Sequence, residues 1–163
     1  ARAMSQTLAD VLMNYTEGPQ DGLFSDGSAS PNPGPGGWGV VWVEAGRIRD
    51  QRWGHSSEKT TNNRMEMRAL IEAMRMVDPA DPVVIWSDSQ LCVNTLTQWA
   101  AGWKRNGWRR KKGPVENLDL VKEAYQLFQE RPRVELRWLR GHRGTLWNEY
   151  ADSLATAWMR DEL

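Results

Sequence analysis

The order of hydrophobic patterns along this chain predicts an α/β domain. Its centre is a five-stranded mixed sheet, three antiparallel strands followed by two parallel ones, flanked by helices. Three observations lead there. Residues 22–53 carry apolar runs broken by turn residues, as a meander of strands does. Two later apolar runs, 83–86 and 134–139, are separated by stretches of helical period. Strands first as a meander and then alternating with helices make a mixed sheet, and 163 residues suffice for one domain with its own core.

Taken in order, residues 5–17 place Leu8, Val11, Leu12 and Tyr15 on one helical face, with Ser5 as N-cap and Gly18-Pro19 as a stop. They belong to an N-terminal extension, 1–21, read as a short helix or as disorder. The domain proper is 22–163. Leu23 and Phe24 open the first strand, and the glycine- and proline-rich stretch 26–37 reads as a wide turn. That stretch lacks the Gly-Lys-Ser/Thr ending of a phosphate loop. A second strand at 38–43, a turn at Glu44-Ala45-Gly46 and a third strand at 47–53 complete the meander. Thr61, Asn62 and Asn63 precede a helix at 64–77 whose stripe is Ala69, Leu70, Ala73 and Val77. The run 83–86 suits a strand covered on both faces. Helices at 89–101, 118–129 and 146–159 and the strand at 134–139 follow.

One cysteine, Cys92, excludes a disulfide within the chain and any cysteine-rich zinc module. Without an 18-residue apolar span or a secretory leader pattern, the expectation is a cytoplasmic protein with no membrane partner. The net charge is zero, yet residues 103–112 (WKRNGWRRKK) hold Lys104, Arg105, Arg109, Arg110, Lys111 and Lys112 and no acid. Such a local basic patch on a neutral chain is the footprint of a polyanionic partner.

Four acids lie in separate stretches: Asp26, Glu66, Asp88 and Asp152. Each alone has a structural explanation. Asp26 suits a turn, Glu66 a capping box with Asn63, Asp88 an N-cap, and Asp152 a solvated helix face. Glu66, however, falls on the stripe that should be buried, which is costly without compensation. Brought into one cleft, these carboxylates would repel, and the usual resolution is a pair of hard divalent cations held by oxygen ligands. Two such ions roughly 4 Å apart activate a water on one side of a phosphodiester and stabilise the leaving oxygen on the other.

The strings FSDGSASPNPGPGGWG, TTNNRMEMRALIEAM, VIWSDSQ, TQWAAGWKRNGW and LRGHRGTLWNEYADSLA occur in this order. Together they resemble the type 1 ribonuclease H family in its bacterial form with a basic protrusion, over about residues 22–159. The resemblance implies the ribonuclease H-like fold and hydrolysis of the RNA strand of RNA–DNA hybrids, leaving 5′-phosphate and 3′-hydroxyl ends. It implies two magnesium ions, with manganese as a substitute, held by Asp26, Glu66, Asp88 and Asp152. His142 matches the family's mobile histidine, which moves protons or helps product leave, a task suited to imidazole. Asn148 matches a residue that orients water or the histidine loop.

The same resemblance assigns Asn32, Thr61, Asn62, Asn63 and Gln90 to the hybrid, where amides suit minor-groove edges and 2′-hydroxyls. In the protrusion, about 99–115, it implies that Trp99, Trp103 and Trp108 form a scaffold presenting Lys104, Arg105, Arg109 and Arg110 to phosphates. A monomer is expected. One departure is Ser30-Pro31, where the family often has a glycine before Asn-Pro-Gly-Pro. A shift of Asn32 there would change hybrid affinity and leave the metals alone. Two rivals stand beside this reading: another nuclease or strand-transferring enzyme of the same superfold, and a hybrid-binding module that has lost catalysis.

Overall fold

The structure, a computed structural model, describes residues 5–163; residues 1–4 of the extension lie outside the described residues. In chain order the elements are α1 (Leu8–Asn14), β1 (Gly22–Ala29), β2 (Gly34–Glu44), β3 (Arg47–Thr60), α2 (Asn62–Arg75) and β4 (Val83–Ser87). Then come α3 (Gln90–Asn94), a π-helical turn (Thr95–Trp99) and α4 (Ala100–Arg105). A small hairpin of β5 (Arg109–Arg110) and β6 (Gly113–Pro114) precedes α5 (Leu118–Gln129), β7 (Val134–Trp138) and α6 (Leu146–Ala155).

The main sheet has the order β3-β2-β1-β4-β7. Its first three strands are antiparallel, and β4 and β7 are added in parallel. Consecutive strand residues face opposite sides, so an unbroken apolar run such as Val40 to Val43 serves two cores. On one face Leu23, Val40, Trp42, Ile85 and Leu136 pack with side chains of α2, α3 and α5. On the other, Phe24, Val41 and Val43 meet Trp147, Tyr150 and Leu154 of α6, and Val11 of α1 closes the cluster. Each such fully buried side chain contributes about 1.5–3 kcal/mol. Among the described residues no helix is long and apolar enough to cross a membrane.

Several boundaries differ from the sequence expectation. The stretch read as a wide turn is mostly sheet, because β1 and β2 stay paired from Gly22↔Val43 to Ala29↔Gly36 and leave only 30–33 as the connection. Glycines there permit close strand packing as well as turns. The third strand runs to Thr60, past the expected end at 53, since β2 continues opposite it. Helix α1 is capped by Thr7, not Ser5, through a reciprocal box with Asp10. Helix α2 is capped by Thr61, whose hydroxyl accepts from Arg64 N, so Asn63 is a helical residue and no cap. The helix expected at 89–101 continues to Arg105 through the π turn, and the last helix breaks at Thr156 before a 3₁₀ turn, Ala157–Met159.

Candidate functional site

Strand register brings the first two acids together. β1 and β4 are parallel neighbours with Ser25 opposite Ser87, so Asp26 and Asp88, each one residue further on, emerge side by side at the same end of the sheet. Ligand sites gather at such carboxyl ends of parallel strands. Asp88 does not cap the next helix, because Ser89 does so by accepting from Cys92 N.

Glu66 arrives from above, on α2. Its Oε1 accepts a 2.5 Å hydrogen bond from the backbone N–H of Gly27. That approach needs a glycine, since a β-carbon at position 27 would sit 2.2 Å from the backbone of Met65. The capping-box explanation of Glu66 therefore falls away: its carboxylate joins helix to strand instead of closing a helix end. One oxygen each of Asp26, Glu66 and Asp88 lies within 4.8 Å of the others. Asp152 comes from α6 on the opposite face and makes a side-chain hydrogen bond with Asp26.

Asp26 is only 6% exposed. Burial first, and then the charges of Glu66, Asp88 and Asp152, hold its carboxyl well above the usual carboxylate range. Burial and the Asp88 charge likewise raise Glu66. These acids crowd together at a cost that protons or a cation must relieve. Convergent, partly desolvated carboxylate oxygens are the donor set that hard divalent ions prefer.

The four acids share one cleft with Ser28, Asn62, Asn63, Ser89 and His142. His142 is exposed in the loop between β7 and α6, with a left-handed backbone (φ 56°). Gly141 beside it abuts Asp88; a β-carbon there would lie 2.6 Å from Asp88 Oδ2. The loop carrying the histidine thus rests on the acid cluster. Ser28 and Ser89 had no signal in the sequence beyond lying two residues after Asp26 and one after Asp88.

The rim is built from amides whose oxygens are already engaged. Asn32 Oδ1 accepts from Asn62 N at 3.1 Å, and Asn62 Oδ1 accepts from Ala29 N at 2.8 Å. What both exposed residues offer a ligand is therefore their NH₂ group. Pro31 does not keep Asn32 from the helix start. Thr61 spends its hydroxyl on capping, Gln90 is exposed at the first turn of α3, and Asn148 is buried on α6; none of these three lines the cleft.

Asn63 lines this cleft and also a second hollow of about 340 Å³. The floor of that hollow includes Met67, Trp99 and Trp103, and its edge carries Arg110, Lys111 and Lys112. Trp99 and Trp103 lie tilted against each other at 6.1 Å, while Trp108 packs edge-on against Tyr125. The tryptophans are thus in part a scaffold. Arg105 and Arg109 are exposed, but Lys104 turns toward α5, donating to Gln129 Oε1 at 3.0 Å. Lys111 and Lys112 were visible in the basic run, yet only the fold puts them on this groove.

Residues 19–160 match the sequence model of the ribonuclease H family. The chain belongs to that family. A ribonuclease H of Bordetella pertussis is 43% identical over 90% of this chain and 96% of its own. Among solved structures, a type 1 ribonuclease H with the type 2 active-site motif is 34% identical, with a TM-score of 0.66 over 87% of this chain and 74% of that one. A ribonuclease H1 solved with an RNA/DNA hybrid shares the fold at 23% identity, TM-score 0.61, over 83% and 93% of the two chains. This chain is of the bacterial type 1 branch of ribonuclease H, and membership makes it a metal-dependent endonuclease that hydrolyses phosphodiesters.

Proposed function

We propose that this protein cuts the RNA strand of RNA–DNA hybrids, using two divalent cations, magnesium by preference with manganese as a substitute. The observation that carries this reading is the meeting of Asp26, Glu66 and Asp88 oxygens within 4.8 Å, with Asp152 hydrogen-bonded to Asp26. The raised carboxyls of Asp26 and Glu66 fit such a pair, because cations would replace protons that the cluster otherwise retains. Asp26, Glu66, Asp88 and Asp152 would hold the ions. When bound, the ions supply Lewis acidity to the scissile phosphate and make water a better nucleophile.

The chain's own residues then bind, orient and move protons. His142, exposed at the mouth of the cleft, is placed to hand a proton to the leaving 3′-oxygen or to help product depart. Water's oxygen joins phosphorus as the P–O3′ bond breaks, which leaves 5′-phosphate and 3′-hydroxyl ends. The amide NH₂ groups of Asn32 and Asn62, with Asn63, suit 2′-hydroxyl and minor-groove acceptors. The groove running from Asn63 to Arg110, Lys111 and Lys112 suits the phosphates of the DNA strand, with Arg105 and Arg109 as outer contacts. Asn148, buried on α6, would support the histidine loop from beneath and not touch the hybrid.

The test is end-group analysis of the products from a labelled hybrid cut in magnesium, in manganese and in EDTA. Cleavage in either metal, none in EDTA, and fragments carrying 5′-phosphate and 3′-hydroxyl are expected. Fragments with 2′,3′-cyclic phosphate would instead mean attack by the RNA's own 2′-hydroxyl and would sink the proposed chemistry.

A further inference from the structure

The histidine loop is held from two sides. Toward the acids, Gly141 abuts Asp88. On the other side stands the N-terminal extension. The Tyr15 ring lies 3.6 Å from where a β-carbon on Gly144 would be, and Glu17 forms a parallel β-bridge with Thr145. The carbonyl of Glu17 accepts from Leu146 N at 2.8 Å. That bond matters because Thr145 makes no side-chain cap for α6, and the first amides of a helix have no partner within it. The extension caps the helix that the side chain of Thr145 leaves uncapped.

Further contacts run along the same helix. Ser153 Oγ, next to Asp152, donates to the carbonyl of Gln6 at 2.6 Å, and Trp147 Nε1 donates to Gln20 Oε1 at 3.0 Å. Tyr15 is itself steadied by Gln6, whose Nε2 donates to its hydroxyl at 3.1 Å. Meanwhile His142 keeps a left-handed backbone, which a non-glycine residue holds only when its surroundings impose it.

We propose that residues 5–20 are a positioning strap: Tyr15 and the Glu17 carbonyl fix loop 141–145 so that His142 faces the carboxylates, and thereby set the rate of the His142-dependent step. This rests on the reading of His142 as a proton carrier. Tyr15 is a positioning residue and touches neither substrate nor reacting atoms.

The test compares Tyr15→Ala, Tyr15→Phe and His142→Ala, singly and combined, by steady-state cleavage of one hybrid and by hydrogen exchange of residues 141–147. Misplacing a reacting group by a fraction of its contact distance slows chemistry more than binding, so Tyr15→Ala should lower kcat roughly tenfold with KM within about twofold. Tyr15→Phe keeps the ring on Gly144 and should stay within about twofold of the parent. In the His142→Ala background, Tyr15→Ala should cost less than about another twofold, since both changes remove the same step. An unchanged kcat, a loss confined to KM, or a full repeat of the loss on top of His142→Ala would overturn the strap. If Tyr15→Ala does not fold, Tyr15→Leu keeps apolar bulk without the flat ring and should show a smaller fall of the same kind. Should His142→Ala alone leave kcat intact, the proton-carrier reading fails. The strap is then judged by exchange: faster at 141–147 in Tyr15→Ala supports it, and unchanged exchange overturns it.

Discussion

Glu66 accepts a 2.5 Å hydrogen bond from the backbone amide of Gly27, one residue past Asp26, so the acid on α2 is fastened to the strand that carries the most buried acid of the cluster. Helix, strand and acid cluster are therefore adjusted together. Glu66→Gln keeps an acceptor for Gly27 while removing a charge from a crowded site. Its unfolding free energy should equal or exceed the parent's in denaturant titration, while cleavage in magnesium falls by about 100-fold or more, as loss of a charged group aimed at the reaction does. Gly27→Ala should instead lose about 1–3 kcal/mol of stability, because its methyl overlaps Met65 backbone.

Asp26 carries the clearest pH consequence. Its carboxyl is raised in the fold, so between the unfolded value of about 4 and the raised value the native state holds a proton that the unfolded chain releases. The resulting stabilisation is fully present below the unfolded value and is lost as pH rises through the folded one. In EDTA, the parent should therefore gain stability relative to Asp26→Asn as pH falls from neutral toward the unfolded value. At neutral pH, Asp26→Asn should be the more stable, since the amide replaces a group that must either carry a crowded buried charge or take up a proton on folding. Magnesium should stabilise the parent and leave the variant nearly unmoved in the same denaturant titration.

Asn32 provides a separate test of substrate contact. Its oxygen supports the first turn of α2, and the residue is exposed, which leaves the NH₂ group for a ligand. Asn32→Asp keeps the acceptor and removes the donor. KM for a hybrid should rise about tenfold, with kcat changed far less and no loss of thermal stability, as expected for one polar contact of about 1–2 kcal/mol. A fall in kcat with unchanged KM would mean that Asn32 acts on the acid cleft and not on the duplex.

The groove beside the protrusion predicts a salt signature. Arg110, Lys111 and Lys112 all line it, so their joint replacement by alanine should flatten the dependence of log affinity on log salt by about 0.7–0.9 for each phosphate no longer neutralised. Lys104→Ala alone should have a smaller effect, because its ammonium is engaged with Gln129. An unchanged slope in the triple variant would remove the groove from the interface.

Most of this architecture was legible in the sequence. The run at 38–43 announces a strand of the meander and the short run at 83–86 a strand covered on both faces, and the acids Asp26 and Asp88 each follow an apolar strand-like run. Helix α5 and the segment from Ser89 onward also follow from periodicity. What failed was local and physical. Glycine and proline between 26 and 37 signal a turn, but there the glycines let two strands approach α2 and α6 closely. Asn63 resembles a cap because Thr61 lies farther from the apolar stripe, yet the helix begins earlier, on exposed residues. The tie between Glu17 and Leu146 joins residues far apart in sequence through backbone atoms, which carry no sequence signal at all.

The most direct measurement incubates the protein with an end-labelled RNA–DNA hybrid, the matching RNA duplex and the matching DNA duplex, each in magnesium and in EDTA. Cutting of the RNA strand in the hybrid alone, and only with magnesium, is the predicted result. Tight hybrid binding without cleavage in magnesium, or equal cutting of the RNA duplex, would contradict it.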